Sequence, residues 1–212
     1  MFIINNRYAD FLEAPLPERF PKKLRSITKI NPAKQGDTAP LFSIHSSQHI
    51  VNGGLLEDIA GITSIQTLLT RPLVIAFYSV HWNGYGQRLL AALQDLQEDI
   101  KVMGGQLLLL SAEDKAYLQY QVTQQSLTLP IAHDTHNKIA KKFGIYAESD
   151  PIWDRISGIN ADVPIPAVYV VSPLEKITYD FVDPYFEKTL PARELLTAVY
   201  NTTGEYTYRK AQ

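Results

Sequence analysis

The stretch FYSVHWNGYGQRLLAALQDL, residues 77–96, reads as the end of a buried strand, a tight turn and an amphipathic helix. Phe77 and Tyr78 close an apolar run that begins at Pro72, and Tyr85, Leu89, Leu93 and Leu96 then recur at helical spacing. A helix that starts directly after a strand leaves its first N–H groups without intrahelical partners, so chemistry is commonly built there. The turn itself, Trp82-Asn83-Gly84-Tyr85-Gly86, contains no cysteine, serine, aspartate or glutamate.

Working outward, the stripe continues through Ile100 and Met103 and stops at Gly104-Gly105. QLLLLS at 106–111 is the next continuous apolar run, as expected of a strand covered on both faces. Strand, helix and strand in this order predict a parallel, right-handed βαβ unit. Residues 113–126 predict a second helix with a weak apolar stripe (Ala116, Tyr117, Tyr120). LPIAHDTHNKIAKKFGIY, from 129, predicts a short strand, Asp134 as N-cap, a helix burying Ile139, Ala140 and Phe143, and Gly144 as stop. Residues 167–171 and the alternating Ile177, Tyr179 and Phe181 predict an antiparallel hairpin turning at 172–175. Ala192, Leu195, Leu196, Val199 and Tyr200 mark a closing helix. The expected fold class is therefore α/β with a thioredoxin-like fold: a central mixed β-sheet, β-α-β then β-β-α, flanked by helices.

Before this core, Pro15, Pro17, Pro21, Pro32 and Pro40 forbid a long helix, so residues 1–35 are expected as an extended N-terminal arm and 36–212 as one domain. A short strand is expected near 41–44 and a turn at Gly53-Gly54. The charge balance, 20 basic against 22 acidic residues, gives no field that favours nucleic acid or an anionic membrane. KKLR at 22–25 is too short for a nucleic-acid patch. No apolar run reaches the roughly 20 residues of a membrane span, and the polar start (Asn5, Asn6, Arg7, Asp10) does not resemble a signal-peptide core. These features set the expectation of a cytoplasmic protein. Cysteine is absent from all 212 residues, which excludes disulfides, zinc–thiolate sites and thiol nucleophiles.

The chain resembles the peroxiredoxin-like branch of the thioredoxin superfamily, the alkyl hydroperoxide reductase and thiol-specific antioxidant proteins. The likeness rests on Phe77-Tyr78 with Trp82 and Tyr85, on the Leu-Pro segment with Asp134, Asn137-Lys138, Ala140 and Phe143-Gly144, on IPAVYVV at 165–171, and on DFVDPYFEKTLPARELL from 180. It spans about residues 36–200. In that frame Asn83 stands where the family has its nucleophilic cysteine, Gly84 where it has proline, and Gly86 where it has the second cysteine. The resemblance implies an antioxidant oxidoreductase or peroxidase, but an amide cannot become the thiolate that attacks an O–O bond. The reading that follows is a redox-inactive binding or scaffold module. The alternatives are the family's peroxidase activity, or a non-thiol enzyme using the same pocket with His81 or Tyr85 as the acting group.

The degenerate site positions are thus Trp82, Asn83, Gly84, Tyr85 and Gly86, with Asn83, Tyr85, His81 and Ile165 as candidate ligand contacts. Asn83 is expected to cap the helix, Gly84 to loosen the turn and Gly86 to open space, leaving either a small anion pocket or a capped remnant. The resemblance also implies a cis Pro166 facing the turn, with Ile165 presenting backbone to an extended peptide; a structural bend is the other reading. His133 and His136, flanking Asp134, supply too few ligands for a metal. His45 and His49 fall in a predicted loop. No cofactor or metal is expected; the partner is a protein, a small anion or a peptide, and the Tyr-rich tail from 200 leaves room for a homodimer. Asn83-Gly84 is also a deamidation-prone pair.

Overall fold

The computed structural model describes residues 29–210 apart from 52 and 58, and at 205–210 the backbone only. KKLR and most of the expected N-terminal arm lie outside the described residues. The strands are β1 (Ser43–His45), β2 (His49–Val51), β3 (Ile62–Ser64), β4 (Leu73–Phe77), β5 (Gln106–Ser111), β6 (Ile131–His133), β7 (Ala167–Val171) and β8 (Ile177–Val182), and the helices are α1 (Ile65–Leu68), α2 (Asn83–Val102), α3 (Lys115–Gln125), α4 (Lys138–Lys142) and α5 (Ala192–Lys210). Six strands form one mixed sheet in the order β2-β6-β5-β4-β7-β8, and β1 and β3 pair separately.

Every residue of β4 and β7 is buried, which is why these strands are apolar throughout rather than alternating. β4 and β5 run parallel in register from Leu73 opposite Gln106 to Phe77 opposite Leu110, so their C-terminal ends lie side by side. β7 returns antiparallel to β4, and β8 folds back on β7 through a turn in which Ser172 N–H donates to Lys176 O at 2.8 Å. α2 buries Tyr85, Leu89, Leu90, Leu93, Leu96 and Ile100, each large side chain contributing about 1.5–3 kcal/mol on removal from water. Phe143 joins the layers, its ring 5.5 Å from Phe77 and 4.9 Å from Tyr169.

The expected βαβ unit, hairpin and closing helix are all present. Three details differ. His49 is no loop residue: it begins β2, which adds an antiparallel strand to β6 at the sheet edge. His45 is no loop residue either: it ends β1, opposite Ile62, and caps a single 3-10 turn, Ser46–Gln48. α4 is short because His136 and Asn137 take left-handed φ angles of 56° and 53° just before it. Asp134 still serves the helix, across this kink: its carboxylate accepts from the N–H groups of Ile139 at 2.8 Å and Ala140 at 2.9 Å. Ahead of β1, Asn31 N–H bonds Gly144 O and Ala33 N–H bonds Phe143 O, both at 2.9 Å. Among the described residues no helix is long and apolar enough to cross a membrane.

Candidate functional site

Between β4 and α2 the chain makes a 3-10 turn, Val80–Trp82, capped by the Ser79 hydroxyl, which accepts from His81 N–H at 3.1 Å. Trp82 is buried beneath the turn and donates its indole N–H to Pro164 O at 3.0 Å. Tyr78, Tyr85 and Phe186 surround it edge-on, with centroids 6.3, 6.4 and 5.9 Å away. The inner face of the turn is therefore filled with aromatic rings.

Asn83 is exposed and adopts φ 52°, ψ −134°, a region that glycine populates far more readily than a residue with a β-carbon. Such a conformation costs about 1–3 kcal/mol and persists only where its surroundings hold it. No side chain caps α2: the cap position falls on Trp82 and Asn83 begins the helix, so the expected capping role of Asn83 is corrected. Gly84 is open, since a β-carbon there would meet only Arg88 Nη1, at 3.5 Å. Gly86 is the opposite. A β-carbon would lie 2.6 Å from Ser79 O, so this position is sealed and the expectation of open space there is corrected.

Two of the expected ligand contacts are also buried. Tyr85 packs on Phe186 at 5.0 Å, and its hydroxyl is pushed well above the usual phenol range, first by burial and then by the Asp183 carboxylate. Ile165 is 1% exposed and spends its N–H on Ile145 O at 3.0 Å, so it offers no backbone to an extended peptide. No cis peptide bond occurs among the described residues, so the cis Pro166 implied by the resemblance is corrected to trans. Pro166 O accepts from Asp183 N–H at 3.0 Å, and the segment runs straight into β7.

Of those contacts, His81 lines a cavity. Beside the turn, at the C-terminal ends of β4, β5 and β6, lies a cleft of about 450 Å³ bordered by His81, Glu113, His133, Asn137, Tyr146 and Asp162, among others. Crevices at the carboxyl ends of parallel strands are the usual ligand sites of α/β sheets. His81 Nε2 sits 3.3 Å from Glu113 Oε2. Glu113, 9% exposed, also accepts from Ser79 Oγ at 2.5 Å and Val80 N–H at 3.2 Å. The neighbouring Tyr78 hydroxyl is raised to about 12, chiefly by burial and then by Tyr117 and Glu113. Across the cleft the Tyr146 hydroxyl donates to Asp162, and burial with that carboxylate holds the phenol protonated. Asn137 donates to Asp162 O at 3.0 Å. His133 is held below the ordinary imidazole value mainly by burial, then by the charge of Lys115. His133 and His136 both border the cleft, yet among the described residues no group of three or more metal-ligating side chains assembles. The larger groove, about 820 Å³ between β8 and α5, carries Arg193 and Glu194 but no comparable cluster.

Sequence reasoning missed Glu113. The usable signal was the parallel pairing itself, because residues just past the ends of β4 and β5 must meet.

The AhpC/TSA family profile matches residues 36–180. No curated protein sequence matches the chain. Among solved structures it is similar to peroxidoxin BcpB of Mycobacterium tuberculosis, with 15% identity over 79% of this chain and 97% of that one at TM-score 0.60. It is similar to the reduced 2-Cys peroxiredoxin of Plasmodium vivax, with 14% identity over 84% and 86% at TM-score 0.61. M. tuberculosis AhpC aligns with 14% identity over 80% and 92% at TM-score 0.58. At such identities the likeness establishes the fold.

Proposed function

The chain belongs to the AhpC/TSA family, and on that premise we propose that it is a member without thiol chemistry, working as a binding module through the polar cleft beside its altered turn. One observation carries this reading: no cysteine stands anywhere in the 212 residues, and peroxide reduction of the family type needs a thiolate that becomes a sulfenic acid. The sealed Gly86 supports it, because the second cysteine position has no room for any side chain. The carboxylates of Glu113, Asp114 and Asp162 line the cleft. They favour a donor-rich or cationic occupant, an amine or the basic side chain of a peptide, over the anion suggested by the helix start alone.

The test has two arms. Peroxide consumption with thiol reductants should match a protein-free control, and turnover above it overturns the reading. In a thermal-shift series of amines, basic peptides, phosphate and small carboxylates, a ligand at about 100 times its Kd adds about 2.7 kcal/mol, or several degrees. That shift should disappear in Glu113→Gln.

The His81–Glu113 pair favours a second reading, an acid–base enzyme. A carboxylate that orients an imidazole is half of a general-base arrangement. Ser79 donates to Glu113 and not to His81, so the wiring is that of proton transfer rather than of a serine nucleophile. Turnover lost in His81→Ala with stability retained is its signature.

A further inference from the structure

Asn83 precedes Gly84, the residue that least obstructs attack by its own nitrogen on a neighbouring side chain. Asn83 is exposed, and no hydrogen bond ties its side-chain amide among the described residues. Gly84 N–H lies in the uncapped first turn of α2, where amides have no helical acceptor. The fourth condition is conformational. At ψ −134° the β-carbon of an L residue comes close to eclipsing the next nitrogen, and that is the planar arrangement of a five-membered ring closed through the side chain. The unusual backbone of Asn83 thus holds the reacting atoms near their attack geometry.

We propose that Asn83 is a built-in modification site, at which the folded protein converts its own asparagine to isoaspartate and aspartate. Gly84 N attacks Asn83 Cγ, forming the N–Cγ bond; the Cγ–Nδ2 bond breaks and ammonia leaves, carrying through water the proton that Gly84 N gives up. Water then opens the cyclic imide, at the main-chain carbonyl to isoaspartate or at the side-chain carbonyl to aspartate. No oxidant or cofactor enters. The positive end of α2 assists loss of the amide proton and favours the carboxylate formed. The Arg88 guanidinium lies 3.5 Å from where a Gly84 side chain would begin, one residue from the charge formed. Isoaspartate adds a methylene to the main chain and releases the backbone from its positive φ. The product carries a negative charge next but one to His81, so the reaction alters the mouth of the cleft with age.

The test uses the full chain at neutral and mildly alkaline pH, folded and in urea. Peptide mapping scores the mass change of amide to acid and enzymatic methylation of isoaspartate at position 83. The expected result is a rate about tenfold or more above that of the same site in urea. The sequence's other Asn-Gly pair, Asn52-Gly53, serves as chemical reference in the denatured sample. Asn83→Gln, which cannot close the five-membered ring, should show no product, with its thermal midpoint confirming the fold. A rate in the folded chain equal to or below that in urea overturns the proposal, as does product that persists in Asn83→Gln.

Discussion

Beneath Asn83 the molecule is dry: Trp82, Tyr85 and Phe186 fill the space behind the turn, and Gly86 is pressed against a carbonyl. On the other side of His81 it is wet and charged, with Glu113, Asp114, His133 and Asp162 around an open cleft. Both regions grow from the same junction of β4 and α2. The first is packed with aromatic rings, and the titratable groups line the second. A shared fold does not carry one chemistry with it, so function has to be read from groups and not from the frame.

The largest effect should come from the dry side. Trp82→Ala removes a buried indole with three aromatic neighbours and a hydrogen bond, and should cost about 3–5 kcal/mol in urea unfolding; a cost under about 1 kcal/mol would mean the region is not packed as described. Within the turn, Gly86→Ala should destabilise by about 1–3 kcal/mol through its clash with Ser79 O. Gly84→Ala should instead be neutral or stabilise by up to about 1 kcal/mol, because its site is open and helical. Equal effects at the two glycines would erase the distinction between the sealed and open positions. On the wet side, Glu113→Ala leaves Ser79 Oγ and Val80 N–H without their acceptor, at about 1–3 kcal/mol by the same measurement.

The smallest effect is a pH dependence. His133 and His49 are held below 6.5 mainly by burial, so the unfolded chain binds their protons more readily. Stability should therefore be full above 6.5 and fall as pH drops through it toward the folded values. Asp134, raised by burial against its amide bonds, acts with the opposite sign, costing stability as pH rises above 3.8. Urea midpoints on either side of 6.5 check the histidine slope, which His133→Asn should reduce.

Periodicity made most of the fold legible. The stripe of α2 and the unbroken apolar runs of β4, β5 and β7 are strong signals because burial on both sides of a sheet leaves no other choice of residue. β2 escaped because three residues beginning with histidine carry no period, and only the free edge of β6 makes them a strand. The site was less legible. Asn83 and the missing cysteines are visible in the letters, but the contact that seals Gly86 is a backbone approach within the turn. Glu113 reaches His81 only through strand register, and the burial of Tyr85 and Ile165 depends on Phe186 and residue 145 from distant segments.

The two ends of the six-stranded sheet bear on how the protein behaves in a crowd. Exposed strand edges invite other chains to pair with them. Here one end closes with β2, a three-residue strand whose register shifts between His49 and Val51. At the other, residues 36–39 lie along the start of β8, with Gly36 N–H to Ile177 O at 2.8 Å and Ile177 N–H to Asp37 O at 3.0 Å. Further along β8, Asp180 puts a carboxylate on the strand and accepts Gln35 N–H at 2.7 Å. Short, irregular and charged, these borders give a growing fibril little to template on, which keeps a very apolar sheet compatible with high local concentration.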